Sequence, residues 1–70
     1  MTRDEWIERF ARELGVDAPD ADTVEALLNL AGVAAHSSER TAAPVACWLA
    51  ARAGVAPDRA LATAESLTGD

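Results

Sequence analysis

Few residues of this chain could cross-link it or build a reactive centre. Cys47 is the single cysteine, so an internal disulfide is impossible, and a lone thiol is typical of a reducing cytoplasm. His36 is the single histidine, and zinc or di-iron centres need more ligands than one histidine and a nearby carboxylate supply. A glycine-rich phosphate loop and a dinucleotide fingerprint are both missing. We therefore expect a cytoplasmic protein with no catalytic residues, no metal and no cofactor, and an enzymatic role is disfavoured.

Long apolar runs and an excess of positive charge are also missing. No apolar run approaches the roughly 20 residues that cross a bilayer, and a secretory signal is not evident. The formal net charge is −6, which would repel the phosphates of nucleic acids. Residues 1–35 hold eight acidic side chains against three arginines, so most of this charge lies in the first half. We expect no membrane and no nucleic-acid partner. The acidic side chains either keep the protein soluble or present a binding surface to a basic protein partner.

Alanine and helical periodicity dominate what the sequence does contain. Half of the 70 residues are hydrophobic, many of them alanine, which is the best helix former. β-Branched residues are few and scattered, which disfavours strands. The sequence predicts an all-α domain over residues 1–70, a compact bundle of about four short helices. Their approximate ranges are 3–14, 23–35, 42–53 and 57–67, and the second helix, which has the widest apolar stripe, is expected to be central.

Capping signals delimit the first two helices. Thr2 and Glu5 have the spacing of a capping box, and Gly15 is placed to end the first helix in a left-handed conformation. Asp22 and Glu25 repeat the same spacing, so we expect Asp22 to cap the second helix.

Proline and glycine delimit the other two helices. Pro44 and Pro57 belong in first helical turns, while Gly54 and Gly69 are expected to terminate the third and fourth helices. A hydroxyl, from Ser38 or Thr41, could cap the third helix.

The three aromatic residues are Trp6, Phe10 and Trp48. They recur on the apolar stripes of the first and third helices, and we expect them to supply most of the large-area burial in the core. For Trp6 the core is favoured over partial exposure at an interface. Because tryptophan is enriched at interface anchors, Trp6 and Trp48 are also the interface candidates.

A polar segment separates the second and third helices and is the candidate ligand- or partner-binding stretch. Its candidate residues are His36, Ser38, Glu39 and Arg40. His36 and Glu39 would share a face if this stretch were helical, and arginine is a common anchor for phosphate or carboxylate. Alternatively, both residues have structural roles. A cationic His36 would interact favourably with the free carbonyls at the end of the second helix, and Arg40 would form an ion pair with an acidic side chain.

Two stretches carry a family resemblance. The first is Trp6 to Val16, and the second is Leu30 to Val45, which contains the string His-x-x-Glu-Arg-x-Ala-Ala-Pro from His36 to Pro44. Together they resemble a small actinobacterial domain family of unknown function, found alone or appended to proteins named molybdopterin-guanine dinucleotide biosynthesis protein A. The resemblance implies an accessory role near molybdenum-cofactor guanylylation, without the transferase activity itself.

Two functional hypotheses follow from these observations. The first is a non-catalytic accessory or protein-interaction domain that binds a protein partner or forms a homodimer, with a link to molybdenum-cofactor biosynthesis that the resemblance implies. The alternative is a small ligand-binding or enzymatic domain that uses His36, Glu39 and Arg40 on a phosphorylated or pterin-like ligand.

Overall fold

The computed structural model describes the backbone of residues 1–68 and the side chains of residues 1–67, and within them it contains four α-helices and no strand. The helices are α1 (Arg3–Leu14), α2 (Ala21–Ser37), α3 (Ala42–Ala53) and α4 (Pro57–Thr68). The predicted all-α class is confirmed, and the bounds of α1 and α3 agree with those predicted. The predicted stop at Gly69 lies outside the described residues.

Helix α1 has the predicted capping box. The backbone N–H of Glu5 donates to Thr2 Oγ1 at 3.1 Å, and the backbone N–H of Thr2 donates to Glu5 Oε1 at 2.7 Å. At the other end Gly15 has φ 79°, and its N–H donates to the carbonyls of Ala11 and Arg12. Because L-residues rarely adopt this left-handed conformation, glycine suits the position.

Helix α2 begins earlier and ends later than predicted. Asp20, not Asp22, is the N-cap, and its Oδ1 accepts the backbone N–H of Thr23 at 2.8 Å. The predicted cap at Asp22 was wrong, and Asp22 instead lies within the first turn. At the far end the hydroxyls of Ser37 and Ser38 donate to carbonyls one turn back, those of Val33 and Ala34, at 2.6 and 2.7 Å.

Neither predicted hydroxyl caps α3. Thr41 is the N-cap residue but makes no side-chain cap hydrogen bond, and the Ser38 hydroxyl is engaged with α2. The first free N–H groups are satisfied by backbone instead, since those of Ala42 and Ala43 donate to carbonyls three residues back, at 2.9 and 3.1 Å. Pro44 follows and has no N–H to satisfy, so a side-chain cap is less needed here.

The helices pack unequally. Helix α2 packs against both α3 and α4, as expected for a central helix, and α3 also touches α4. No α-carbon of α1 comes within 8 Å of an α-carbon of another described helix. The radius of gyration is 12.6 Å, compared with about 11 Å expected for a compact chain of this length. Helix α1 is thus an arm beside a three-helix unit.

The core is small and built largely from alanine. Among residues 1–67, the buried hydrophobic residues are Ala11, Leu30, Ala50 and Ala60. Leu30, at 3% exposure, is the one large side chain among them, and it clusters with Ala50 and Ala60 where α2, α3 and α4 meet.

The predicted aromatic core was wrong. Trp6, Phe10 and Trp48 are 54%, 50% and 62% exposed, respectively. The small side chains of α3 face inward instead, with Ala50 buried and Cys47 packed against the core cluster. Alanine at a helix contact permits a close approach, so the bulky residues of α3 are left on its outer side.

Candidate functional site

The polar segment between α2 and α3 lies on the surface. His36 lies in the last turn of α2, whereas Glu39 and Arg40 follow the helix end, and all three are exposed. Because α2 ends at Ser37, His36 and Glu39 do not share a helical face. No hydrogen bond or ion pair found among the described residues links any two of His36, Glu39 and Arg40. The structure therefore leaves this cluster unassembled, and its role in binding stays a prediction.

A groove of about 550 Å³ runs between α2 and α4 beside this segment. His36 lines it together with Ser37 and Asn29 of α2 and Glu65 of α4, whereas Ser38, Glu39 and Arg40 do not. One of the four candidate residues of the polar segment thus faces a concave surface. The described residues contain no group of three or more His, Cys, Asp or Glu side chains that could hold a metal ion.

A second groove, of about 650 Å³, separates α1 from α2. Ile7 of α1 faces Val24 and Leu28 of α2 across it, with Asp4 and Glu8 among the polar lining residues. Its existence shows that α1 lies alongside α2 without closing onto it. The sequence did not predict this groove, because both of its walls read as ordinary amphipathic faces.

Helix α1 carries an exposed apolar stripe, which we call the α1 stripe and which consists of Trp6, Phe10 and Leu14. These residues are spaced by four and therefore line up along one face. The Trp6 and Phe10 rings stack with their centroids 5.0 Å apart, and Leu14 is 61% exposed. The stacked pair and Leu14 thus leave large apolar side chains exposed along this face of α1.

Helix α3 carries a second exposed apolar surface, the α3 face, which consists of Val45, Trp48 and Leu49. Their exposed fractions are 56%, 62% and 55%. Both predicted interface candidates, Trp6 and Trp48, therefore lie in exposed apolar surfaces. Helical spacing places Leu14, Val45 and Leu49 on the same apolar stripes as the tryptophans, but the sequence analysis did not include them among the interface candidates.

The charged side chains with identified partners include one exposed ion pair and two helix-capping carboxylates. Arg3 Nε and Asp4 Oδ1 form an ion pair at 2.9 Å, with both side chains more than half exposed, so it contributes little to stability. Hydrogen bonds from Thr2 lower the pKa of Glu5, and hydrogen bonding from Thr23 does the same for the pKa of Asp20. Both shifts belong to helix caps and therefore do not mark a reactive site.

The thiol of Cys47 points toward α2 and is half-buried. Its Sγ lies 4.0 Å from the carbonyl oxygen of Leu27, which is a weak contact. The thiol thus serves helix packing.

Comparison with known proteins identifies the family of this chain. No curated protein and no solved structure gives a significant match. Within residues 1–68, no helix is both long enough and apolar enough to cross a membrane. The model of one protein family, described as a domain of unknown function (DUF6457), matches residues 1–69. Since that match spans nearly the whole chain, the protein belongs to this family.

Proposed function

We propose that residues 1–70 form a single non-catalytic domain that binds other protein. The observation that carries this proposal is the exposure of both tryptophans within apolar surfaces, the α1 stripe and the α3 face. Contiguous exposed apolar patches mark interaction sites, and tryptophan is among the residues that contribute most to binding energy. A small alanine core beside large exposed apolar side chains is the distribution expected of a chain that completes its packing with a partner.

We propose further that this binding serves molybdenum-cofactor guanylylation in the cytoplasm. The support is the resemblance of Trp6 to Val16 and of His36 to Pro44 to a domain appended to molybdopterin-guanine dinucleotide biosynthesis protein A. A nucleotidyltransferase needs a glycine-rich nucleotide loop, which this sequence lacks, and metal-binding acids, of which the described residues contain no suitable cluster. The chain would therefore accompany the transferase and leave the chemistry to it.

The direct test measures binding to the guanylyltransferase from the same genome. We expect co-elution in size exclusion and saturable binding by calorimetry, both weakened by Trp6→Ala or Trp48→Ala. Leu67→Ala is the matched control, because Leu67 is 83% exposed on α4 and lies outside both surfaces. Absence of a complex at high micromolar concentration would contradict the link to this enzyme.

The ligand-binding alternative has narrower support. The groove between α2 and α4 offers a concave surface with His36, Asn29 and Glu65 on its lining. Arg40, the residue best suited to hold a phosphate, is not on that lining. The apolar surfaces therefore favour protein binding over a phosphorylated or pterin-like ligand.

A further inference from the structure

We propose that the occupant of these surfaces is a second copy of the chain. The α1 stripe of one copy packs against the α3 face of the other, and the same contact is repeated in the opposite sense. This inference rests on the proposed function, because it assumes that the two apolar surfaces bind protein. It goes further by naming the partner and by pairing one surface with the other, and the guanylyltransferase of the proposed function would then compete with the second copy for these surfaces.

The exposed area of the chain favours a dimer. A compact protein of this mass is expected to expose about 4,200 Å², whereas this chain exposes 5441 Å². The excess is roughly 1,200 Å² per copy, and covering it in a dimer would bury about 2,400 Å² in total, within the range of obligate homodimers. Protein interfaces of standard size bury less area than this, so the chain has enough uncovered surface for a stable dimer.

The lack of helix neighbours around α1 indicates which helix of the chain the partner contacts. Helices α2, α3 and α4 pack together, whereas α1 has no helix neighbour within 8 Å between α-carbons of the described residues. A domain of this size with one large buried side chain needs a further source of stability, and a disulfide is impossible with Cys47 alone. The α1 of a partner, laid on the α3 face, supplies that fourth packed helix.

Charge distinguishes this pairing from a contact between two α1 helices. Helix α1 contains four acidic residues against three arginines, whereas α3 contains no acidic residue and one basic residue, Arg52. Contact between α1 and α3 therefore joins opposite net charges, and contact between two α1 helices joins like charges. Such complementarity selects the partner surface more than it adds affinity.

Two-fold symmetry makes the pairing testable by mixing two variants. In such a dimer every contact occurs twice, so each copy offers one α1 stripe and one α3 face. Trp6→Ala damages the first surface and Trp48→Ala damages the second. In a mixed dimer of the two variants, one contact retains both tryptophans and the other loses both.

The experiment measures molar mass by light scattering during size exclusion over a concentration series. We expect a wild-type dimer, and each variant alone should dimerise about 1,000-fold more weakly, because each substitution truncates an interface hot spot twice in the dimer. The equimolar mixture should dimerise more tightly than either variant alone, and the Leu67→Ala control should match wild type. Circular dichroism verifies that every variant remains helical, which is expected because both tryptophans are more than half exposed.

Three outcomes would overturn the inference. They are a monomeric wild type at high micromolar concentration, weakening by only one of the two substitutions, and a mixture that associates no better than its components. Weakening by Trp6→Ala alone would indicate paired α1 helices, and weakening by Trp48→Ala alone would indicate paired α3 faces. A monomer that still binds the guanylyltransferase would refute the dimer and retain the proposed function, so the two failures are distinguishable.

Discussion

Truncation of Leu30 is the sharpest test of the small core. This side chain is 3% exposed and lies where Ala50 of α3 and Ala60 of α4 meet α2. Leu30→Ala removes the one large side chain among the buried residues of the described part of the chain. The alanines around it cannot extend into the space, so a cavity is left.

The magnitude follows from the size of the protein. Buried leucine-to-alanine changes cost about 2–5 kcal/mol, the larger values where the site cannot collapse. A 70-residue domain has a free energy of unfolding of roughly 4–10 kcal/mol. We therefore expect a loss of about 3 kcal/mol, which is a third or more of the total stability.

Leu28→Ala is the matched control. Leu28 lies two residues earlier on the same helix and is 52% exposed, so the change in helix propensity is the same but less burial is lost. We expect a cost of about 1 kcal/mol, half that of burying a leucine. The assay is urea unfolding followed by circular dichroism, at one protein concentration because association would add to the apparent stability. Equal costs for Leu30→Ala and Leu28→Ala would refute the core described above.

Further predictions concern the glycines and the caps. Gly32 lies within α2, where an added β-carbon would meet no atom within 4 Å, so Gly32→Ala should raise the free energy of unfolding by about 0.5–1 kcal/mol. Gly15→Ala should lower it by about 1 kcal/mol, because Gly15 has φ 79°; denaturant unfolding measures both. Asp20 and Glu5 have folded pKa values below the ordinary 3.8 and 4.5, so their contribution is present above those values and lost as pH falls through the folded pKa. Asp20→Asn should keep α2 capped at neutral pH yet show a smaller loss of helix on acidification, and an unchanged acid transition by circular dichroism would contradict this.

Local signals account for the parts of the fold that could be predicted. The capping box at Thr2 and the left-handed glycines at positions 15 and 54 act over a few residues, so the sequence alone reveals them. The predicted start of α2 was wrong because either of two aspartates, Asp20 or Asp22, could serve as the N-cap. Spacing favoured the second, but residues 21 and 22 can continue the helix, and the backbone extends it back to Asp20.

The sequence located the candidate polar segment but could not show whether its side chains come together. The three-residue spacing of His36 and Glu39 has meaning only within a helix, and the helix ends between them at Ser37. The sequence alone does not give the position of that end, so it could not show whether the two side chains share a face.

The direction of an apolar stripe is the information that periodicity does not contain. Helix α3 has a bulky stripe with Val45 and Trp48 and a small one with Cys47 and Ala50, and both fit a helical period. Burial area favours the bulky stripe as core, but close packing against α2 favours the small one, and the structure shows the second. A chain that buries alanine and exposes tryptophan leaves its largest apolar side chains available for a contact with a partner. The error about the core and the proposal of a dimer therefore have the same physical origin.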